Sequence, residues 1–378
     1  MTRRFRVLAG ALAIGALWTA AYLPAPLAAQ QRARTKSAAR ATASEPVGIT
    51  PEMRIVAAHI TANALRGHVS FLASDLLEGR DTPSRGLNIA AEYIASQFRR
   101  MGLEPATGDS FYQAVPIPIH KPKGGDAADN ATAGTANNVA GILRGSDPAL
   151  KDTYVVVSAH YDHTGLAASG EDRVFHGAND DASGVASVLE VANALASLHP
   201  RPKRSVLVIL FCGEEKGLVG SRFYASHPLV PLDHTIAQIN MEQMGRTDSP
   251  EGPHLNMMNV TGFDFSTIPA LLADSGRRVQ IAVIKDAQAS EAYFRRSDNG
   301  PLAEAGIPAH TVSVTYEFPD YHAVGDEWQK LDYDNMAHVD QAVGIAMLRL
   351  ASAVTPPKWM ESNPGAMKFA EAAKKLHP

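Results

Sequence analysis

Apolar residues along this 378-residue chain fall into two alternating rhythms, and the alternation predicts its architecture. PEMRIVAAHITANALRGHVSFLAS and RGLNIAAEYIASQFRRMGL place apolar side chains at helical spacing, and Gly102 closes the second as a helix C-cap does. NNVAGILRG and TYVVVSAHYDH are strand-like runs separated by the turn signal GSDPALKD. The second is nearly continuous in β-branched residues, which predicts a strand buried on both faces. The pattern then alternates: helix DASGVASVLEVANALASLH, strand RSVLVILFCGEE, helix GLVGSRFYASH, strand HTIAQINMEQMG and helix FSTIPALLADSGR. A helix end and strand follow in PLAEAGIPAHTVSVTY, and NMAHVDQAVGIAMLRLASAV is a closing amphipathic helix. Strands alternating with helices predict an α/β fold, a three-layer sandwich with a mostly parallel central sheet flanked by helices.

Outside that pattern lie the two ends and one interior segment. Arg3, Arg4 and Arg6 precede VLAGALAIGALWTAAYL, and small residues follow at Leu27-Ala28-Ala29, so residues 1–29 read as a secretory signal peptide and the protein as exported, to the periplasm or beyond the cell. A retained anchor is the alternative, since the apolar stretch is near the lower limit for spanning a bilayer. Residues 30–48 are polar, small and basic without periodicity, and read as a disordered leader. KPKGGDAADNATAGTAN, from Lys121 to Asn137, reads as an exposed loop. Residues 357–378 form a tail ending in a short helix whose Lys374-Lys375 face solvent.

Composition narrows the function classes. Thirty-five basic against 39 acidic residues give a formal charge of -4, which speaks against a nucleic-acid partner. Cys212 is the single cysteine, so no intramolecular disulfide forms and an exported chain must be held by its core and by metal. In its apolar run Cys212 reads as a buried, inert thiol.

Candidate chemistry follows from what ends each apolar strand, because ligands of such sheets collect at the strands' carboxyl ends. VVVSAHYDH ends on His160 and Asp162, VLVILFCGEE on Glu214 and Glu215, and IAQINMEQ on Glu242. HTVSVTYEFPDYH adds His322, and HGANDDASG supplies Asp180 and Asp181 just before a helix. Taken singly each is more often a cap or surface group than a ligand. Jointly they converge on one sheet edge, where several carboxylates cannot all stay ionised without a cation. Imidazole and carboxylate without thiolate suit zinc, and the set is large enough for two ions bridged by one carboxylate. Two such ions about 3.5–4 Å apart share a hydroxide and polarise a carbonyl, which is hydrolytic chemistry.

SAHYDHTG, GANDDASGVASVLEVA, FCGEEKGLVGS, INMEQMG and DYHAVGDEWQKLDY, in that order, resemble the motifs of the co-catalytic zinc aminopeptidases, metallopeptidase family 28. The resemblance spans roughly residues 65–350 and includes FLASDLLEGRDT and RSDNGPLAEAGIPA. It implies one dizinc peptidase domain over residues 49–356, two Zn2+ ions per chain and a peptide substrate. It further implies that His160 and Glu242 serve one ion, Glu215 and His322 the other, and that Asp180 bridges both. Glu214 is then the general base that takes a proton from a metal-bridging water, and Asp162 the carboxylate that orients the His160 imidazole. The family more often has Asp where this chain has Glu242, whose extra methylene lengthens the arm.

Other residues are read more plainly. His163 and His176 are loop residues near the motifs, His310 is structural, and Asp181 holds the turn beside the bridging residue. Ser183-Gly184 lets a helix begin close to the site. Gly79-Arg80, Arg296-Ser297-Asp298 and Tyr321 match family patterns but receive no catalytic role. The resemblance implies an exported aminopeptidase without stable membrane association after signal cleavage. Alternatives on the same fold are a one-zinc glutaminyl cyclase, a carboxypeptidase or dipeptidase, and a noncatalytic binding protein of the transferrin-receptor kind.

Overall fold

Residues 48–118, 132–286 and 289–377 are described by the computed structural model; the expected signal segment and all of the leader but Gly48 lie outside them. The first periodic run makes two helices rather than one. Thr50 caps α1 (Pro51–His59), and the chain turns extended at Ile60. The Thr61 hydroxyl then accepts the Ala64 N–H at 3.3 Å and starts α2 (Ala62–Leu72). Ser84 caps α3 (Arg85–Met101), which ends at Gly102 in the left-handed region with φ +69.

Nine strands form the central sheet. β1 (Glu104–Pro105), β2 (Tyr112–Pro118) and β3 (Thr132–Leu143) build one flank, with β2 and β1 both antiparallel to β3. The glycine-rich segment read as a loop as far as Asn137 is therefore strand from Thr132 on, because β2 pairs with it. β4 (Tyr154–His160), β5 (Ser205–Phe211) and β6 (Thr235–Met241) follow, with β7 (Asp248–Ser249) and β8 (Gly252–Pro253) as a separate small hairpin. β9 (Met257–Val260), β10 (Ala282–Ile284) and β11 (Ala309–Ser313) complete the sheet in the order β1-β3-β5-β4-β6-β11-β9-β10. The middle block β5-β4-β6-β11 is parallel, and antiparallel pairs bound it at β3–β5 and β11–β9.

Both faces of the middle strands are covered, which is why they read as unbroken apolar runs. Val155, Val157, Val206, Val208 and Leu210 face a layer of α2, α3, α4 (Gly184–Ala196) and α9 (Tyr333–Ser352). Val156, Leu207, Ile209 and Phe211 face the opposite layer, where Tyr224 of α5 (Val219–Ser226) and Leu302 of α8 (Asn299–Glu304) pack. α6 (Ile268–Arg278) joins the first layer through Ile268 and Leu272, and α7 (Ala289–Ala292) is a single short turn. α10 (Met367–Leu376) belongs to the second layer: Phe369 and Ala370 are buried with Phe294, Leu302 and Trp359. One compact unit spans Val47–Pro378, so the boundary expected at 356 is not a structural one. Among the described residues no helix is long and apolar enough to cross a membrane.

Gly184 shows how tightly α4 approaches the sheet's carboxyl edge. A Cβ there would lie 2.2 Å from the Met241 carbonyl oxygen and 2.3 Å from Asp181 Oδ2. Gly184→Ala is expected to destabilise the protein by about 1–3 kcal/mol, because the obstructing oxygens belong to a backbone and a buried side chain. Urea unfolding checks this; unchanged stability would contradict the close approach.

Candidate metal centre

The carboxyl edge of the parallel block gathers the predicted side chains. His160 ends β4, Glu214 and Glu215 follow β5, Glu242 follows β6, and His322 lies in the loop after β11. Asp180 and Asp181 precede α4, and the peptide bond between them is cis. Two donor groups result: His160, Asp180 and Glu242 in one, and His163, Asp180, Glu215 and His322 in the other, each with its ligand atoms within 4.8 Å of one another. Asp180 belongs to both groups. Its Oδ1 lies 3.3 Å from His160 Nε2 and its Oδ2 lies 3.0 Å from His322 Nε2, so its two oxygens face different histidines.

Three kinds of anchor hold these atoms in place. His160 directs Nδ1 at the Asp162 backbone carbonyl, 3.2 Å away, which leaves Nε2 for the donor group. The Asp162 carboxylate stands 3.6 Å from that Nδ1. Its hydrogen bonds go elsewhere: Oδ1 accepts the Glu214 N–H at 3.2 Å and Oδ2 the Thr82 hydroxyl at 3.0 Å. The orienting contact expected of the Asp162 carboxylate is thus made by its carbonyl, while the carboxylate fixes Glu214. Asp181 Oδ1 accepts the N–H groups of Gly184 at 2.9 Å and Gln243 at 3.1 Å, tying the start of α4 to the residue after Glu242. Beside Glu242, Ser297 accepts from Asn240 Nδ2 at 2.8 Å.

Two anchors were not assigned a role from the sequence. Asp326, four residues after His322, accepts the N–H of Asn179 and of Asp180 at 3.0 and 3.1 Å, and burial raises its carboxyl to about 6. Arg80 is fully buried, and its guanidinium donates to the carbonyls of Tyr161 (3.0 Å), His176 (2.8 Å), Gly177 (2.9 Å) and Leu72 (2.5 Å). It thereby joins the end of β4 to the segment leading into Asp180. The other histidines do as expected: His176 pairs with Asp75 and the Val324 carbonyl, and buried His310 lies between Thr261 and Ser266 with its pKa lowered to about 4. His163 differs, being fully buried inside the second donor group rather than along the loop. Cys212 is buried, and burial pushes its thiol pKa up.

Electrostatically the cluster cannot rest as it stands. Burial, against the pull of His160, pushes Glu214 and Glu242 above the usual carboxylate range. Burial also pushes Asp180 and Glu215 up, but the imidazoles of His160 and His322 close to the first, and of His163 and His322 close to the second, leave both lowered. His322 is correspondingly raised to about 10 by Asp180 and Glu215. His160 Nε2 and Asp180 Oδ2 are buried without a hydrogen-bond partner. Orphaned imidazole and carboxylate atoms aimed at common points fit a zinc ion, whose preferred donors they are.

An α/β sheet whose carboxyl edge carries this donor set is suited to metal-assisted hydrolysis. The sequence pattern of peptidase family M28 matches residues 138–347, and the chain belongs to that family. A protein of Pyrenophora tritici-repentis named "Probable zinc metalloprotease" is 26% identical, over 89% of this chain and 77% of its own. Among solved structures, the Legionella pneumophila LapA aminopeptidase superposes with a TM-score of 0.60 at 20% identity, over 82% of this chain and 77% of that one. Porphyromonas gingivalis glutaminyl cyclase superposes with a TM-score of 0.56 at 18% identity, over 77% of this chain and 97% of that one. The fold is therefore shared by both chemistries, and the choice between them rests on the site.

Proposed function

We propose that this protein is an exported aminopeptidase that holds two zinc ions, one at His160, Asp180 and Glu242, the other at Glu215, His322 and the same Asp180. The observation that carries the reading is the pair of donor groups meeting at one carboxylate, with Glu214 beside them and outside both. A single zinc would leave one of the two groups unfilled. Zinc bound there polarises a carbonyl and acidifies water at neutral pH. Glu214, held through its own N–H by Asp162 and outside both donor groups, accepts the proton of the attacking water. The water oxygen bonds to the peptide carbon, the C–N bond breaks, and Glu214 returns the proton to the leaving amine.

The end preference is taken from the LapA aminopeptidase, which shares the fold. A cavity of about 250 Å3 adjoins the site, and Glu214, Glu242, Asp180 and Glu317 line it against a single cation, Arg296. With Asp180 and Glu242 given to zinc, Glu214 and Glu317 are the acids left on the wall, and Tyr293, Tyr316 and Phe318 offer apolar surface to the first side chain. The basic, apolar and small segments of residues 1–29 support export. A panel of aminoacyl amides, the same peptides with blocked N-termini and peptides with a C-terminal reporter tests the reading. Free N-termini should be required for cleavage; hydrolysis confined to N-blocked peptides would overturn it.

A further inference from the structure

His163 lies outside the ligand set that the motifs imply, yet its ring is built into the second donor group. We propose that His163 Nδ1 is a fourth protein donor to the ion shared by Asp180, Glu215 and His322, so that the two ion sites are unequal, one closed by four side chains and one left with three. The inference rests on the two-ion reading above and adds to it.

Geometry carries the proposal. His163 Nδ1 lies 2.9 Å from Glu215 Oε1 and 3.9 Å from Asp180 Oδ2. His322 Nε2 lies 3.1 Å from the same Glu215 oxygen and 3.0 Å from the same Asp180 oxygen. Four donors held about 2.0–2.1 Å from one zinc stand about 3.3–3.4 Å apart in a tetrahedron, and these four separations bracket that edge. The two rings meet edge to face, with centroids 5.5 Å apart, as two imidazoles converging on one point would.

The surroundings are shaped for this placement. The His163 N–H donates to the Arg80 carbonyl at 3.2 Å, which turns the side chain inward directly after β4. Gly177, at φ +57, makes room for the ring, since a Cβ there would lie 2.5 Å from His163 Cγ. Among the described residues the ring makes polar contact only with the carboxylates of the donor group. With Nδ1 given to the metal, the ring proton sits on Nε2, which is buried without a partner, and the coordination bond offsets that cost. Among the described residues, the group of His160, Asp180 and Glu242 has no such fourth side chain. By the usual contrast between closed and open zinc sites, the His163 site binds tightly, and the His160 site exchanges its ion and keeps the position open to substrate.

The test uses the zinc-loaded protein labelled with 15N-histidine, and long-range 1H–15N correlations that report which ring nitrogen carries the proton. His163 should be metallated at Nδ1 and protonated at Nε2. Competition with a chelator should then release one zinc well before the other, and His163→Asn should weaken the tight site beyond the about 10–100-fold that loss of an outer partner costs. Two bound zinc ions with the proton on His163 Nδ1, hydrogen-bonded to Glu215, would overturn this inference alone. Binding of no zinc, or of one, would overturn the two-ion reading and this inference with it. The NMR result on the unsubstituted protein decides the matter even where the Asn variant does not fold.

Discussion

Glu214→Gln is expected to keep its zinc and lose about 10^2–10^4-fold in kcat, with little change in KM. Glutamine preserves the shape of the side chain and its place on the cavity wall, but it cannot take a proton. Zinc retention is expected because Glu214, unlike Glu215, lies in neither donor group. The two adjacent glutamates leave β5 through a tight turn in which Gly213 sits at φ +70 and accepts the N–H of Lys216 at 3.3 Å. That turn separates their directions: Glu215 reaches His322 and His163, while Glu214 lines the cavity. Steady-state kinetics beside metal analysis checks the outcome. Full activity would remove Glu214 from the mechanism, and parallel loss of zinc would make it a ligand instead.

Stripping the zinc is expected to lower the melting temperature on the order of 5–10 °C, given two sites each filled at about a hundred times Kd. The metal-free protein should also respond to pH in a defined direction. A carboxyl raised in the folded state contributes stability below its unfolded pKa and loses it as pH climbs through the folded value. Glu214, Glu242 and Asp181 belong to this class through burial, as does Asp298, raised to about 7. The imidazolium of His322, raised to about 10 by Asp180 and Glu215, has the same sign. Asp180 and Glu215 are lowered, so their contribution is present above about pH 4 and lost in stronger acid. Together the raised groups outweigh His310, whose lowered value of about 4 acts in the opposite sense below about pH 6.5, so metal-free protein should melt higher near pH 5 than near pH 8. Zinc reverses the trend, because its ligands bind it only when deprotonated, and the gain from added zinc should grow from pH 5 to 8. Thermal melts with and without zinc across that range test this. A metal-free melting temperature that rises towards pH 8 would contradict it.

The sequence carried the strands and the residues at their ends well, and for a physical reason. A strand covered on both faces must be apolar throughout, so SVLVILF and YVVVSAH announce both their own extent and the position where polar chemistry can begin. Glu214, Glu215, His160 and Glu242 are legible because they stand at that position. β2, β9 and β10 were not legible: they are short or carry mixed polarity, and their pairing with β3 and β11 is long-range. The break of the first helix at Ile60 escaped because the periodicity runs through it, although Thr61 offered a cap signal.

Within the site, the residues missed are those whose work depends on contacts distant in sequence. Arg80 serves carbonyls at 161, 176 and 177, and Asp326 holds the N–H groups of 179 and 180. Both stand in stretches that resemble the family, FLASDLLEGRDT and DYHAVGDEWQKLDY, but no local pattern shows what either side chain touches. His163 did carry a local signal, standing three residues after His160 in HYDH, but loop position alone cannot tell an inward ring from an outward one. In the tail, Lys374 and Lys375 face solvent as expected, and Phe369 on the same helix is buried in the second layer.

The most direct test of the account is the zinc content of gently purified protein, measured by mass spectrometry against protein concentration and alongside hydrolysis of an unblocked aminoacyl amide. The account predicts two zinc ions per chain, with activity rising as both sites fill. Fewer than one zinc per chain in protein that still cleaves the amide would contradict it.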